Sequence, residues 1–410
     1  MEEHADIVIV GAGHGGAQAA ISLRQLKFAG TIAMLSEDPD IPYDRPSLSK
    51  EYLAGERPFE RMLLRPAAFW EQHRILLRSA CAVTAMDPEA HRIRLSDGGE
   101  MRFGALIWAA GGRPRMLTCP GHQLAGVHTL RSRHDVDRIT TELTRADRVA
   151  VIGGGYIGLE VAATLRKRGK HVTVLEALDR VLARVAGEPL SRFYEREHRA
   201  HGVEVQLGAR VECIEEDAGR AAGVRLADGT LVPASMVIVG IGIAPITEVL
   251  LEAGAQGDNG VMIDEYCRTS LPDVYAIGDC AAHVNAFSAV PRMRLESVQN
   301  AADMAKTVAK ALTGAPEPYH SVPWFWSSQY DLHLQTVGIS AGHDDIVVRG
   351  DPSARSFSLV YRRGGRVIAL DCVNSARDFA QGRALVLNGT APDPRALADP
   401  TIALSTLRGN

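Results

Sequence analysis

Two glycine clusters carry the first chemical signal in this 410-residue chain: GAGHGG, with Gly11, Gly13 and Gly16, and GGGYIG, with Gly153, Gly155 and Gly158. In such a cluster the first glycine permits a tight turn, the second lets backbone approach a pyrophosphate, and the third lets a helix pack on a strand. The N–H groups at the positive helix end then hold the diphosphate. An acid closes each unit, Glu37 in the first and Glu176 in the second. Such an acid accepts from ribose hydroxyls and repels a 2′-phosphate, so Glu176 favours NAD, while Arg180 and Arg184 nearby keep NADP open. One glycine turn can serve packing alone. Two copies in the same setting predict two bound nucleotides.

The elements that must position these turns are legible as apolar runs. In "ADIVIVGAGHGGAQAAISLRQLKFAGTIAMLSED" a buried strand ends at Gly11, an alanine-rich helix follows, and a second strand is expected to end at Glu37. "DRVAVIGGGYIGLEVAATLRKRGKHVTVLEA" repeats that order up to Glu176. Each unit is followed by a hairpin: "HRIRLSDGGEMRFGALIWAAGGRPR", turning at Asp97 to Gly99 and leading to a buried strand, and "AAGVRLADGTLVPASMVIVGIGIAP". Further on, "CRTSLPDVYAIGDCA" reads as a strand ending at Gly278 and Asp279, and "ESVQNAADMAKTVAKALTG" as an amphipathic helix with a glycine stop. The chain is expected to change domain around Arg113 to Pro120 and around Gly240 to Pro245. From residue 320 onward it carries arginine but no lysine.

Composition narrows the function classes. With 46% apolar residues and a formal net charge of −4, the chain reads as globular, neither a general nucleic-acid binder nor a membrane-surface binder. Its six cysteines, Cys81, Cys119, Cys213, Cys267, Cys280 and Cys372, form no CxxC or CxxxxC pair, so spacing signals neither a metal site nor a redox dithiol. Buried single thiols in a reducing compartment are expected instead. The first apolar run starts at Ile7 with no basic segment before it, and no run approaches the ~20 residues that span a bilayer. A soluble cytoplasmic protein is expected.

The order GAGHGG, ALIWAAGGRPR, GGGYIGLE, IVGIGIAP and YAIGDCA resembles the FAD-dependent pyridine nucleotide oxidoreductases of the glutathione reductase superfamily. PYDRPSLSKEYLAG, RLESVQNA and PWFWSSQY are similar to the NADH:ferredoxin reductase branch, which includes putidaredoxin reductase and the reductases of biphenyl-type dioxygenases. The resemblance implies an α/β fold with two Rossmann-like dinucleotide-binding domains, one for FAD and one for NAD, plus a C-terminal α+β domain. The implied boundaries are 1–113 with 243–319 for FAD, 114–242 for NAD, and 320–410 for the last domain. In the segment where disulfide reductases of this superfamily carry a redox cysteine pair, this chain has "IPYDRPSLSKEYL" and no cysteine. The tail also lacks the HPT-type segment with a following acid that such enzymes use to protonate a thiol.

Residue by residue, the resemblance implies that Gly11, Gly13, Gly15 and Gly16 form the FAD pyrophosphate turn and that Glu37 accepts from the adenosine ribose. Arg45, Lys50 and Arg131 are implied cationic FAD contacts, Val83 a backbone contact to adenine, and Asp279 the acceptor for the ribityl chain and diphosphate. Val298 would start a helix whose N-terminus faces the flavin. Lys50 and Glu160 resemble a buried pair beside flavin N5, with a solvated helix glutamate as the other reading of Glu160. Tyr156 resembles the aromatic gate over the flavin, Ile157 and Gly242 backbone contacts to NAD, and Trp326 a residue on the ferredoxin side. Arg65, Arg292, Arg294, Arg349 and Arg362 are candidates for docking an acidic ferredoxin. Two departures stand out: Ser47 replaces the second proline of the usual RPPLSK, and the usual ATG is AAG here, Ala109 to Gly111, which removes a threonine hydroxyl.

The implied function is NADH-dependent reduction of a [2Fe–2S] ferredoxin that serves a cytochrome P450 or a Rieske-type oxygenase. Rubredoxin reductase and NADH oxidase-type activities are alternatives in the same fold. An NADH-sensing interaction protein of the apoptosis-inducing-factor kind is an alternative of another class.

Overall fold

The computed structural model describes residues 3–407, and the chain forms two compact units. The first takes in the chain up to Arg45, then Phe59–Arg113 and Ala244–Pro323; the second takes in Pro46–Pro58, Pro114–Ile243 and the chain from Trp324 onward. Residues 46–58, expected within the first dinucleotide domain, pack instead in the second unit. Their backbone is held there, since Thr164 donates to the Ser49 carbonyl at 2.8 Å, Arg168 to the Leu53 carbonyl at 2.8 Å, and Lys167 pairs with Glu56.

In the first unit the apolar run of Glu3–Val10 becomes a central strand, buried from Ile7 to Val10 because both of its faces are covered. It pairs in parallel with Ile32–Leu35 on one side and Glu100–Trp108 on the other. Ile32–Leu35 stops short of the expected Glu37. The neighbouring strand turns away at Gly11, whose N–H takes the Leu35 carbonyl as its last rung at 2.7 Å. The expected hairpin arm and the buried strand after it prove to be one element, Glu100–Trp108. Its first residues pair antiparallel with Arg92–Leu95, and its last pair in parallel with Val274–Ala276. The helix His14–Gln25 buries Ala17, Ala19 and Ala20 completely, and small side chains let it pack closely on the helix Val298–Leu312.

The second unit holds a parallel five-stranded sheet in the order Glu204–Leu207, His171–Glu176, Arg148–Ile152, Met236–Val239, Val127–Thr129. An antiparallel three-stranded meander covers one side, and Ile214, Val224 and Val232 bury against Ile152, Leu175 and Val237. The same unit contains an antiparallel five-stranded sheet, Trp324–Gln329, Leu332–Gly338, Arg366–Val373, Ser356–Arg363 and Asp345–Asp351 in spatial order. Alternation along these strands sends one set of side chains to the helix Ala376–Asn388 and the other to the helices Tyr156–Lys167 and Glu188–Ala200. Trp324 against Phe379 marks the first face, and Phe357 against Phe193 marks the second.

Arg349 closes the chain's end onto this sheet. Its guanidinium, only 3% exposed, bonds Asp378 at 2.9 Å and the carbonyls of Leu397, Asp399 and Ile402 at 3.1, 2.5 and 2.8 Å. Arg349→Ala should therefore cost about 3–5 kcal/mol, because it leaves Asp378 as a buried unpaired carboxylate. A urea melt measures the loss, and amide exchange should show the backbone from Leu397 onward losing protection first.

Candidate functional site: two glycine turns and a buried lysine–glutamate pair

In the first unit, the strand Glu3–Val10 passes to the helix His14–Gln25 through Gly11 at φ +105°, where a Cβ would collide with the Ala109 carbonyl. A Cβ on Gly16 would likewise collide with the Gly11 carbonyl, so turn and helix are locked together by close approach. No side chain caps this helix. Gly13 stands at its N-cap with open space around it, save for Arg45 Nε 4.0 Å from the place of a Cβ. Asp38 steadies that guanidinium at 3.0 Å. A Cβ on Gly15 would touch Ile277 and Ala301, and one on Gly278 would also meet Ala301, so three segments distant in sequence converge at one helix end.

Asp279 lies in this convergence, within the turn Gly278–Cys280, and Arg294 donates to its carbonyl oxygen at 2.6 Å. Val298 is the first residue of its helix, with Ser297 capping through the Asn300 N–H at 3.1 Å. Glu37 is exposed beyond its strand, and half-buried Val83 opens the strand Val83–Asp87. An uncapped helix end, an open glycine edge and a fixed arginine suit a diphosphate. The residues present fit FAD.

The second turn repeats this construction. Gly153 has φ +109°, a Cβ on Gly158 would collide with its carbonyl, and Gly155 at the N-cap has nothing within 4 Å of where a Cβ would stand. Glu176 is buried, and its two carboxylate oxygens accept from the Gly154 and Leu178 N–H groups at 2.7 and 2.8 Å. It anchors the loop first, with lone pairs left on both oxygens for a ribose hydroxyl. Arg180 is spent on the Ala183 and Ala186 carbonyls and Ser191, whereas Arg184 is exposed. Ile157 and Gly242 are exposed as well. Half-buried Arg131 precedes the helix Arg133–Glu142, and its N–H donates to Asp135 at 3.0 Å.

The same helix that starts at Tyr156 carries Glu160 one turn further in. Glu160 is 4% exposed, and Lys50 Nζ reaches its Oε2 at 2.6 Å. Ser49 donates to the same oxygen at 2.6 Å, and Ser327 donates to Oε1 at 2.7 Å. Lys50 Nζ also donates to the Pro46 carbonyl at 2.9 Å, within the turn that "RPSLSK" forms. Tyr156 packs its ring 4.7 Å from Phe325, and burial pushes its phenol well above the ordinary range, so it stays neutral. Trp326 lies on the opposite sheet face from Phe325 and Ser327, 5.5 Å from Trp324 between ring centroids.

Sequence reasoning did not single out Ser49, Phe325 or Ser327. The signal was there in "WFWSSQ", because a period of two places Phe325, Ser327 and Gln329 together on one face. Of the five arginines considered for docking, Arg349 is buried and committed to the tail. Arg294 is held by Asp279 and Glu296, and Arg362 by Asp345. Arg65 and Arg292 remain exposed. Among the described residues no group of His, Cys, Asp or Glu could hold a metal ion, and no helix is long and apolar enough to cross a membrane.

Two dinucleotide turns and a buried lysine–glutamate pair define an oxidoreductase of the two-nucleotide class. The chain belongs to the pyridine nucleotide-disulphide oxidoreductase family, whose model matches residues 5–305, and residues 324–408 match the reductase C-terminal family. It is 58% identical, over 98% of both chains, to the ferredoxin reductase subunit of 5,5′-dehydrodivanillate O-demethylase from a Sphingobium species. It is 55% identical to a ferredoxin–NAD(P)+ reductase from a Sphingomonas species, over 97% of this chain and 95% of that one. A crystal structure of a covalent putidaredoxin reductase–putidaredoxin complex superposes with a TM-score of 0.94 at 38% identity, covering 99% of this chain and 98% of that one.

Two tests follow from this geometry. Gly155→Ala should cost no more than about 1 kcal/mol, since alanine is a poorer N-cap than glycine but its methyl meets nothing within 4 Å, and KM for NADH should rise roughly tenfold if this turn cradles the diphosphate. Buried Asp371, which accepts from Tyr361 at 2.5 Å, has its carboxyl pushed up to about 7 by burial, above its value in the unfolded chain. The native state keeps that proton while the unfolded chain releases it, so stability falls as pH rises from roughly 4 to 7. Asp371→Asn, measured by urea melts across that window, should flatten the decline.

Proposed function

We propose that this chain takes hydride from NADH and passes electrons singly to a [2Fe–2S] ferredoxin that serves an oxygenase, with Lys50 and Glu160 at the reacting edge of the cofactor. The observation that carries this reading is the state of the thiols. All six cysteines are free, and burial raises every one of them, Cys280 and Cys372 up to about 12. None is poised as a thiolate, so no thiol relay competes for the electrons. FAD, when bound, supplies the conversion of one hydride into two single electrons. The relatives that match this chain along its whole length are ferredoxin reductases by name, which supports the same partner.

In this reading the Gly11–Gly16 turn, Arg45, Glu37, Val83, Arg131, Asp279 and the helix from Val298 hold FAD. The Gly153–Gly158 turn, Tyr156, Ile157, Glu176, Arg184 and Gly242 hold NADH. Lys50 supplies a cation that favours electron-rich flavin, and Glu160 limits the cost of burying that cation. Trp326 serves the ferredoxin side. Apart from residues 46–58, which pack in the second unit, the domains are 1–113 with 243–319 for FAD, 114–242 for NAD and 320–410 at the C-terminus. Free cysteines throughout favour the cytoplasm.

The test is reduction of a panel of purified electron acceptors by the NADH-reduced holoenzyme at several salt concentrations. Turnover with an acidic [2Fe–2S] ferredoxin should exceed that with rubredoxin or oxygen at least about tenfold and fall between 50 and 200 mM salt, on the order of the screening expected for docked charges. Faster turnover with rubredoxin or oxygen would replace the proposed partner.

A further inference from the structure

Glu160 is the end of a longer hydrogen-bonded chain than a salt bridge requires. Ser327 Oγ lies 2.7 Å from Glu160 Oε1, Gln329 Nε2 3.2 Å from Ser327 Oγ, and His198 Nε2 2.8 Å from Gln329 Oε1. Tyr330 O–H, 3.0 Å from His198 Nδ1, closes the series. Ser327, Gln329 and His198 are all at most 1% exposed, so none of these groups has water to fall back on.

The chemistry of the carboxylate fixes every direction. An ionised Glu160 only accepts, so Ser327 must give it its proton and can then only accept from Gln329. That turns the Gln329 amide nitrogen toward Ser327 and its oxygen toward His198. His198 must therefore carry its proton on Nε2, which leaves Nδ1 to accept from Tyr330. Burial pushes the His198 imidazole down to about 4, in keeping with a neutral ring that accepts at one nitrogen and donates at the other. Every donor in the series points at Glu160.

Backbone strain at the far end supports a selected arrangement. Tyr330 has φ +57°, a left-handed conformation that is unfavourable for a bulky side chain. Its ring is held there by stacking on His201, with centroids 3.7 Å apart and planes at 11°. The hydroxyl is thereby aimed at His198.

We propose that Ser327, Gln329, His198 and Tyr330 form a one-way hydrogen-bond chain of positioning residues that holds the Glu160 carboxylate aimed at Lys50 for electron transfer. This rests on the reading of Lys50 and Glu160 as the pair that serves the cofactor. The amide in the middle makes the chain a polarising element and not a proton conduit, since Gln329 has no proton to pass on without changing its bonding. Breaking any link turns Ser327 free to rotate away, and Oε1 loses its donor.

Two measurements test it. In holoenzyme labelled with 15N-histidine, His198, assigned by its absence in His198→Gln, should be neutral at pH 7 with the proton on Nε2, and Tyr330→Phe should keep that tautomer, since Gln329 Oε1 still accepts from Nε2. A proton on Nδ1 in the wild type overturns the chain. In stopped-flow reduction by NADH, Ser327→Ala and Gln329→Glu, whose carboxylate draws the Ser327 proton away from Glu160, should each slow the limiting rate about tenfold. Ser327→Thr should stay within about twofold, and the Ser327→Ala, Gln329→Glu double variant should be no slower than Ser327→Ala alone. If Gln329→Glu does not retain FAD, Ser327→Ala against Ser327→Thr carries the rate readout. Unchanged rates in the chain variants while Glu160→Gln is slow overturn the chain and leave the pair standing. An unchanged rate in Glu160→Gln overturns the pair and the chain with it.

Discussion

A carboxylate taken out of water must be compensated where it lies, and Glu160 imposes that condition on much of the second unit. Leaving one charge of a buried pair uncompensated costs about 3–5 kcal/mol, a large share of a domain's net stability. The compensation comes from far away in sequence: Lys50 and Ser49 on one side, Ser327 on the other. It accounts for the packing of residues 46–58 in this unit, because a lysine that must meet Glu160 carries its segment along. It also accounts for polar Ser327 and Gln329 in a strand whose neighbours on that face are Phe325, Leu334 and Phe357.

What could be read from the sequence was whatever a local pattern encodes. Strand, glycine turn and helix form one contiguous motif, so both nucleotide turns were visible, as were the hairpin at Asp97 to Gly99 and the helix that begins beside Ser297. The Lys50–Glu160 contact spans 110 residues and came from family likeness alone, for no periodicity links a proline-rich turn to a helix so distant. The apolar run points to a strand end at Glu37. Whether the ladder reaches that far depends on where the partner strand turns, and Gly11 turns first.

Arg349 shows the opposite error, a surface role assigned to a residue the fold consumes. Charge alone points to docking, yet the tail offers a cluster of backbone carbonyls from Leu397 to Ile402, and a planar fork is the side chain that can satisfy several at once. The lysine-free tail takes a physical meaning from this. An ammonium presents three donors from one point and cannot bridge carbonyls spread from Leu397 to Ile402.

The same geometry recurs at Arg355, which joins the turn bearing Tyr330 to the helix bearing His198. One arm of its guanidinium meets Asp331 at 2.8 Å, next to Tyr330 in the hairpin, and the other meets Glu197 at 3.1 Å, next to His198. A lysine could reach either carboxylate but not hold both at fixed separation, and the distance between Tyr330 and His198 would be set by one partner alone. Exposed ion pairs contribute little to stability singly. Here the fork's value is geometric, since it fixes two neighbours whose hydrogen bond starts the series of donors that ends on Glu160.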